Sequence, residues 1–164
     1  MVIDIRKKLY KPEKFNKEAT CFACSPYNKI GLQMEFFEAG DQIVSYWEPD
    51  KKYEGFHNVL HGGIQSTLID EIAAWAVFIK GETAGVTKKI SVNYKQPVYI
   101  SKGLIKLTAK FRQKDTKHAT IDVKLYNHQE QLATLGEALY LIYPLKIARK
   151  KFNYPGVEAF YQKD

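Results

Sequence analysis

The sequence is poor in cysteine and contains no long hydrophobic run. Only 2 cysteines occur among 164 residues, which excludes a small fold held together by a disulfide framework. Every apolar run ends well short of the roughly 18 residues that a membrane-spanning helix needs. Residues 1–8 contain charges that no apolar stretch follows, so they lack the order of a signal peptide. These absences predict a cytoplasmic protein without a membrane partner.

Several signatures of catalysis and binding are also missing. The chain has no glycine-rich phosphate loop, no Gly-x-Ser-x-Gly nucleophile elbow and no serine-triad order. Its formal net charge is +7, with denser basic groups at 6–17 and 146–151. The basic residues do not lie along one helix or beside paired aromatics, so no nucleic-acid partner is predicted. A solvated basic surface and attraction of an anionic substrate both remain open as explanations of the charge.

What is present fits one α+β domain. Apolar residues at 64, 68, 72, 75 and 79 recur with a helical period and predict one long helix over about 62–79. Six segments have the composition or alternation of strands: 32–39, 42–47, 88–100, 104–113, 118–126 and 132–142. Because the strands run consecutively, a parallel βαβ fold is excluded, and an antiparallel sheet wrapped around one helix is predicted. The polar start is expected to be a short helix or a loose arm, and the end of the chain stays unassigned.

The strongest chemical pattern lies where the long helix begins. His61, Gly62 and Gly63 open the helix, where the first backbone N–H groups have no partner inside it. These amides suit a carbonyl oxygen that gains negative charge. The helix then carries two adjacent carboxylates, Asp70 and Glu71, and Asp70 lies about 13 Å along the helix from the histidine. One copy therefore cannot bring amide and carboxylate to the same atom, whereas two copies packed antiparallel can.

Three segments together resemble the hotdog-fold thioesterases, specifically the branch that includes phenylacetyl-CoA thioesterase. The first is Cys21 to Leu32, which is similar to the family's lead into its first strand. The second is His61-Gly62-Gly63 with an acid at Asp70, which matches in residue type and spacing. The third is Thr87 to Pro97, which ends in the family's Tyr-x-x-Pro. The histidine-glycine-glycine triplet alone would be weak evidence for the resemblance. The three segments together are stronger evidence because they occur in the family's order.

The resemblance implies a fold, a domain plan and an activity. The hotdog domain is expected at 21–144, with an N-terminal arm or short helix at 1–20 and a basic, aromatic tail at 145–164. The fold implied is a six-stranded antiparallel sheet wrapped around one long central helix. The activity implied is hydrolysis of an acyl- or aryl-coenzyme A by a homodimer or a dimer of dimers, without a cofactor.

The resemblance also implies roles for single residues. Asp70 is expected to act as general base or as nucleophile, and the Gly62 N–H as the oxyanion donor from the other subunit. His61 is expected to shape the turn, with proton transfer as the less favoured alternative. Thr87 matches the position where relatives hold the attacking water, although a plain strand former explains it equally well.

Four further residues are predicted on the substrate side of the site. Gly63 belongs to the same turn, and Ser66 lies one turn before Asp70 among small side chains that leave room for a ligand. Glu71 points about 100° away from Asp70 and is expected to support it or to face solvent. Asn58 is the asparagine nearest to the position that one subgroup of relatives uses.

Other chemistries are weighed beside this one. Cys21, Cys24, His57 and His61 are possible zinc ligands, but the two pairs are too far apart in sequence for a finger, so no metal is predicted. The cysteines are then reduced packing residues. A non-catalytic acyl-CoA-binding or sensing module is the main alternative function. A hotdog hydratase or dehydratase is a weaker alternative, because its motif is not found.

Overall fold

The computed structural model of the protein describes residues 6–15 and 20–163. Within this part of the chain, the regular elements are seven strands and two α-helices. In chain order they are β1 Arg6–Leu9, β2 Phe36–Ala39, β3 Gln42–Trp47, α1 Gly62–Lys80, β4 Gly85–Tyr94, β5 Ile105–Lys114, β6 His118–Tyr126, β7 Leu132–Ile142 and α2 Leu145–Phe152.

All strands belong to one sheet in the order β1-β2-β3-β5-β6-β7-β4. Every neighbouring pair is antiparallel. The sheet wraps around α1, which packs against each of the strands from β3 to β7. Leu68, Ile72 and Val77 of α1 are fully buried. The predicted antiparallel sheet around one long helix is thereby confirmed.

The start of the chain differs from the prediction. Residues 6–9 form strand β1, which pairs with β2 and brings the sheet to seven strands instead of six. Leu9 is buried while the three residues before it are exposed. A strand with a single buried side chain at the sheet edge has no alternating pattern to read, which explains why the sequence suggested an arm or a short helix. Further along the predicted arm, Glu13–Phe15 form a short 3-10 helix, and residues 1–5 and 16–19 lie outside the described residues.

The end of the chain packs onto the same core. Helix α2 is followed by a short 3-10 helix, Val157–Tyr161, whose Phe160 stacks on Phe78 of α1. Tyr154 is buried and its hydroxyl donates to the Phe78 carbonyl oxygen at 2.7 Å. The segment that the sequence left unassigned therefore covers one side of α1.

Strand β4 lies at the far edge of the sheet and ends earlier than predicted. It stops at Tyr94, whereas the sequence suggested a strand as far as residue 100. Pro97 lacks the N–H that a ladder requires, and residues 95–100 instead connect to a 3-10 turn at Ile100–Lys102. None of the described helices is long and apolar enough to cross a membrane.

The sheet approaches α1 most closely at a glycine. A Cβ atom built on Gly136 of β7 would lie 2.5 Å from Cγ2 of Ile69. Real atoms do not come that close, so the glycine sets the distance between helix and sheet at this point. Because Asp70 follows Ile69 directly, the same contact fixes the depth of the carboxylate in the fold.

We expect Gly136→Ala to lower the free energy of unfolding by about 1–3 kcal/mol, as overpacking does in a close-packed interior. The loss should shrink in an Ile69→Leu background, because leucine lacks the Cγ2 methyl that the new Cβ would meet. Urea unfolding of both single variants and of the double variant measures this coupling. Additive losses in the double variant would contradict the proposed contact.

Candidate active site

His61 caps the start of α1. Its Nδ1 atom accepts a hydrogen bond from the Gly63 N–H at 2.9 Å, which satisfies one of the amides that the helix leaves open. The His61 N–H donates to the Tyr53 carbonyl oxygen at 3.0 Å, and the Leu60 N–H donates to Val98 at 2.9 Å. The turn is thus held by its backbone on both sides.

Gly62 has a different environment from Gly63. Among the described residues no group accepts a hydrogen bond from the Gly62 N–H. Its carbonyl oxygen accepts from the Tyr94 hydroxyl at 2.7 Å and from Ser66 Oγ at 3.1 Å. The two hydroxyls lie 2.8 Å apart. Of the two predicted glycines, Gly62 therefore keeps an available donor, while the Gly63 N–H is occupied by the cap.

Asp70 lies further along α1 and is half-buried. Its Oδ1 atom accepts two hydrogen bonds, from Thr87 Oγ1 at 2.7 Å and from the Tyr140 hydroxyl at 2.6 Å. The same hydroxyl lies 2.8 Å from the Asp70 carbonyl oxygen. Within the described part of the chain Oδ2 has no hydrogen-bond partner. One oxygen is thus oriented by two donors, and the other is available to a proton or an electrophile.

Tyr140 remains a proton donor at physiological pH. The side chain is buried in β7, and this burial, together with the nearby Asp70 charge, raises the pKa of its phenol far above the ordinary value of 10.0. Charging the phenol would place a second negative charge beside the carboxylate. Its neutral hydroxyl therefore restrains Asp70 without competing for the proton that catalysis would move.

Thr87 reaches Asp70 from an irregular part of β4. The pairing of β4 with β7 shifts between Thr87 and Lys89, so Lys88 is an extra residue in the strand. Such bulges re-aim side chains and are common next to functional sites. The hydrogen bond to Asp70 assigns this threonine a partner that strand propensity alone does not explain.

Glu71 faces the other side of the helix. Its Oε1 accepts from the Trp75 indole N–H at 3.2 Å, and its Oε2 lies 3.5 Å from Cys21 Sγ. Burial, followed by the charge of Cys21, raises the pKa of this carboxyl from 4.5 to about 7. Glu71 therefore contacts neither Asp70 nor Thr87 through a hydrogen bond, although the sequence grouped it with the substrate side.

Asn58 also has a partner of its own. It has a left-handed backbone with φ 61°, and its side-chain amide exchanges two hydrogen bonds with Ser101, at 2.9 Å and 3.0 Å. The arrangement ties the loop before α1 to the loop before β5. These hydrogen bonds give Asn58 a role in holding two loops together, and the substrate contact expected from the sequence stays a prediction.

The histidines of the alternative zinc set do not join the cysteines. His57 is 94% exposed and pairs with Glu54, and His61 is used by the helix cap. Among the described residues, the group of possible metal ligands is Cys21, Cys24 and Glu71. Of the four possible zinc ligands weighed from the sequence, the two histidines therefore do not join the cysteines in this group.

Two tyrosines complete the site, and sequence reasoning gave neither of them a role. Tyr94 stood in the Tyr-x-x-Pro motif without a function, and Tyr140 looked like an ordinary strand residue. Pairing of β7 with β4 brings Tyr140 opposite Thr87. The motif offered a signal for Tyr94, whereas only the strand order reveals Tyr140.

Comparison with known sequences finds a match to one family model. Residues 57–134 match the sequence model described as the thioesterase superfamily. The match covers just under half of the chain and runs through α1, β4, β5 and β6 to the first residues of β7. The comparison with curated proteins gives no match.

Solved structures share the fold at low sequence identity. A thioesterase superfamily protein aligns with 73% of the chain at a TM-score of 0.67 and 21% identity, and the chain spans 58% of its length. A Streptococcus mutans UA159 protein bound to acetyl-CoA aligns with 64% (TM-score 0.60, 18% identity, 83% of its length). Zebra fish thioesterase superfamily member 2 aligns with 71% (TM-score 0.62, 22% identity, 89% of its length). These likenesses confirm the hotdog fold.

The raised pKa of Glu71 predicts a pH-dependent stability. The folded protein holds this proton up to about pH 7, whereas the unfolded chain releases it near 4.5. Ionisation therefore favours unfolding as pH rises through that window. Relative to Glu71→Gln, the wild type should lose about 1–3 kcal/mol of unfolding free energy between pH 5 and pH 8.

Urea unfolding at both pH values measures this difference. A hydrogen bond from Cys24 lowers the pKa of the neighbouring Cys21 thiol, and this shift changes stability with pH in the opposite direction. The test therefore compares the pH dependence of the wild type with that of the variant. Glu48→Gln, at an exposed site, serves as the matched control. Parallel pH profiles for the wild type and Glu71→Gln would contradict the assignment.

Proposed function

We propose that this chain is a member of the thioesterase superfamily that hydrolyses the thioester of an acyl- or aryl-coenzyme A. The observation that carries the proposal is the Asp70 carboxylate, which is held through Oδ1 by Thr87 and Tyr140 while Oδ2 has no partner among the described residues. The family match over 57–134 includes this aspartate. A neighbouring fold with bound acetyl-CoA supports the choice of substrate class.

The chemistry follows from the available oxygen of Asp70. In one route, Oδ2 takes a proton from water while the water oxygen attacks the thioester carbonyl carbon. The carbonyl oxygen gains negative charge, the C–S bond then breaks, and the proton passes to the coenzyme A thiolate. In the other route, Oδ2 itself attacks the carbonyl carbon, the C–S bond breaks as the coenzyme A thiolate leaves, and water hydrolyses the mixed anhydride that results. Both routes use the same restrained carboxylate.

The oxyanion needs a hydrogen-bond donor, and the Gly62 N–H of the same chain lies too far from Asp70 to provide it. Asp70 lies eight positions after Gly62 in α1, about 12 Å along the helix axis. The available Gly62 N–H is at the positive end of the helix dipole, so it suits an oxyanion. We therefore assign this role to Gly62 of a second copy.

The edge strand β4 supports a specific pairing of the two copies. It has ten residues, it lies at one end of the sheet, and its Val86 and Tyr94 are 41% and 48% exposed. An unpaired edge of this kind is a template for another strand. Because Thr87 contacts Asp70 and Tyr94 contacts Gly62, antiparallel pairing centred near residues 90–91 brings position 94 of one copy opposite position 87 of the other. Gly62 of the second copy then approaches Asp70 of the first.

We expect Asp70→Asn to keep the fold and to lower kcat at least about a hundredfold, the low end for loss of a general base. The assay is thiol release from a panel of acyl-coenzyme A esters of different chain lengths, with phenylacetyl-CoA included. Glu71→Gln is the matched control, since it changes the adjacent carboxyl on the other face and should lose much less activity.

A clear result would reject this assignment. If Asp70→Asn retained more than about a third of the wild-type kcat, attention would move to Glu71. Tight binding of an acyl-coenzyme A by the wild type without turnover would instead indicate a binding or sensing module.

Complementation tests the site between subunits. Gly62 is the first residue of α1, a position that tolerates proline, so Gly62→Pro should remove the donor N–H with little effect on the helix. Loss of one oxyanion donor costs about 2.7–4 kcal/mol. Asp70→Asn and Gly62→Pro, each inactive alone, should recover activity after unfolding and co-refolding. Under random pairing about a quarter of the sites would carry neither change.

Gly62→Ala is the matched control for the proline variant. A Cβ at this position would lie 3.3 Å from the Tyr94 ring, and alanine adds the same carbon while keeping the N–H. Alanine should therefore retain far more activity than proline. If mixed dimers form and wild-type chains refold actively, yet the mixture stays inactive, the shared site is wrong.

A further inference from the structure

The only two cysteines of the chain lie together beside Glu71, which points about 100° round α1 from Asp70. Cys21 and Cys24 occupy a turn before β2, and the Sγ of Cys21 lies 3.5 Å from Glu71 Oε2. Both sulfur atoms and a carboxylate oxygen of Glu71 lie within 4.8 Å of one another. Negative charges at such distances repel one another, so the three groups titrate as a coupled set.

The backbone holds the two sulfur atoms next to each other. The Cys24 N–H donates to Cys21 Sγ at 3.3 Å, and the Ser25 N–H donates to the Cys21 carbonyl oxygen at 3.1 Å. The middle of the turn is anchored to the following segment, because Leu32 and Met34 donate to the carbonyl oxygens of residues 22 and 23 at 2.8 Å and 2.9 Å. The pair is therefore in place before any reaction.

The two thiols differ in exposure and in charge. Cys21 is partly exposed, whereas Cys24 is 8% exposed. A hydrogen bond from the Cys24 thiol lowers the pKa of Cys21 from 9.0 to about 5. The same bond and burial raise the pKa of Cys24 far above 9.0. The accessible sulfur is thus the thiolate, and the buried sulfur is the proton donor, the combination that reactive Cys-x-x-Cys pairs use.

The surrounding charges favour thiol chemistry over a metal ion. The Lys11 ammonium lies 3.3 Å from Cys24 Sγ, on the sulfur that a metal would need. In the described part of the chain no histidine joins the group, so the protein supplies three donors instead of the four of a structural zinc site. Lys11 also stabilises negative charge on whichever sulfur is ionised.

From this cluster we infer that Cys21 and Cys24 form a thiol–disulfide exchange site that reduces low-molecular-weight disulfides. The site is separate from the proposed thioester chemistry and does not rest on it. The Cys21 thiolate attacks one sulfur of the incoming disulfide, which forms a mixed disulfide and releases one thiolate. Cys24 then gives its proton to Glu71 and attacks the Cys21 sulfur. The second thiolate leaves, and an intramolecular Cys21–Cys24 disulfide remains.

Each group of the cluster has a part in this sequence. The incoming disulfide receives two electrons and leaves as two thiols, while the two cysteines lose two electrons and two protons. Glu71 suits the proton acceptor because its pKa, raised to about 7, allows it to take the Cys24 proton near neutral pH. The two sulfur atoms already lie within 4.8 Å of each other, so the second step needs only a small movement of the Cys24 side chain.

Glutathione disulfide is the probe for the first test. Reduced wild-type protein is mixed with it, the free thiols are alkylated at timed intervals, and the products are identified by mass. The wild type should end as an intramolecular disulfide with no bound glutathione. Cys24→Ser should stop at one glutathione on Cys21. Cys21→Ser should react at least about tenfold more slowly than Cys24→Ser, because it retains only the buried, protonated thiol.

Three outcomes would overturn the inference. The first is that both thiols stay open to alkylation at excess glutathione disulfide. The second is that glutathione attaches to Cys24 as fast as to Cys21. The third is that reduced protein binds zinc one-to-one and becomes protected from the disulfide, which would make the cluster a metal site.

The pH dependence gives a second, independent reading. The alkylation rate of Cys21 in the folded protein should reach half of its plateau below pH 7, whereas the unfolded chain should do so near pH 8.5. Glu71→Gln should slow the second step, so that the mixed disulfide accumulates at least several-fold above its wild-type level. A Cys21 profile that matches the unfolded chain, or an unchanged mixed disulfide in Glu71→Gln, would reject the proposed roles.

Discussion

The position of α1 inside the curved sheet is the constraint on which both sites depend. The helix is enclosed by strands β3 to β7 on one side and by the C-terminal segment on the other. Close approach at Gly136 sets its depth, and in a close-packed interior such a distance cannot relax without cost. Each side chain of the helix is thereby assigned to a fixed environment.

The two adjacent carboxylates show what that constraint does. Successive residues of a helix point about 100° apart, so Asp70 and Glu71 meet different surroundings. Asp70 reaches the edge of the sheet and accepts two hydroxyl hydrogen bonds. Glu71 reaches a sulfur atom and an indole N–H in an interior that penalises its charge. The same chemical group is therefore suited to transfer protons at two places with different partners.

The edge strand β4 contacts both parts of the proposed active site. Strand β4 pairs with β7 along one side, while its other side carries no strand among the described residues. Thr87 near its start contacts Asp70, and Tyr94 at its end contacts Gly62. One strand thus holds the carboxylate and the helix start at a fixed separation. In the proposed pairing of two copies along β4, Gly62 of one copy would lie close to Asp70 of the other.

The sequence by itself determined those features that depend on short-range periodicity and on local motifs. The apolar period predicted α1 within a residue or two, the strand-like segments at 32–39 and 42–47 predicted β2 and β3, and the motif at His61 singled out Asp70 as a candidate. Tertiary structure alone decided the seventh strand, whose single buried residue leaves no pattern, and the partners of the two carboxylates. Tyr140 lies 70 residues after Asp70 and Cys21 lies 50 residues before Glu71. Contacts over such distances depend on strand order and on the path of the loops, because neither the helical period nor the strand alternation specifies which elements become neighbours.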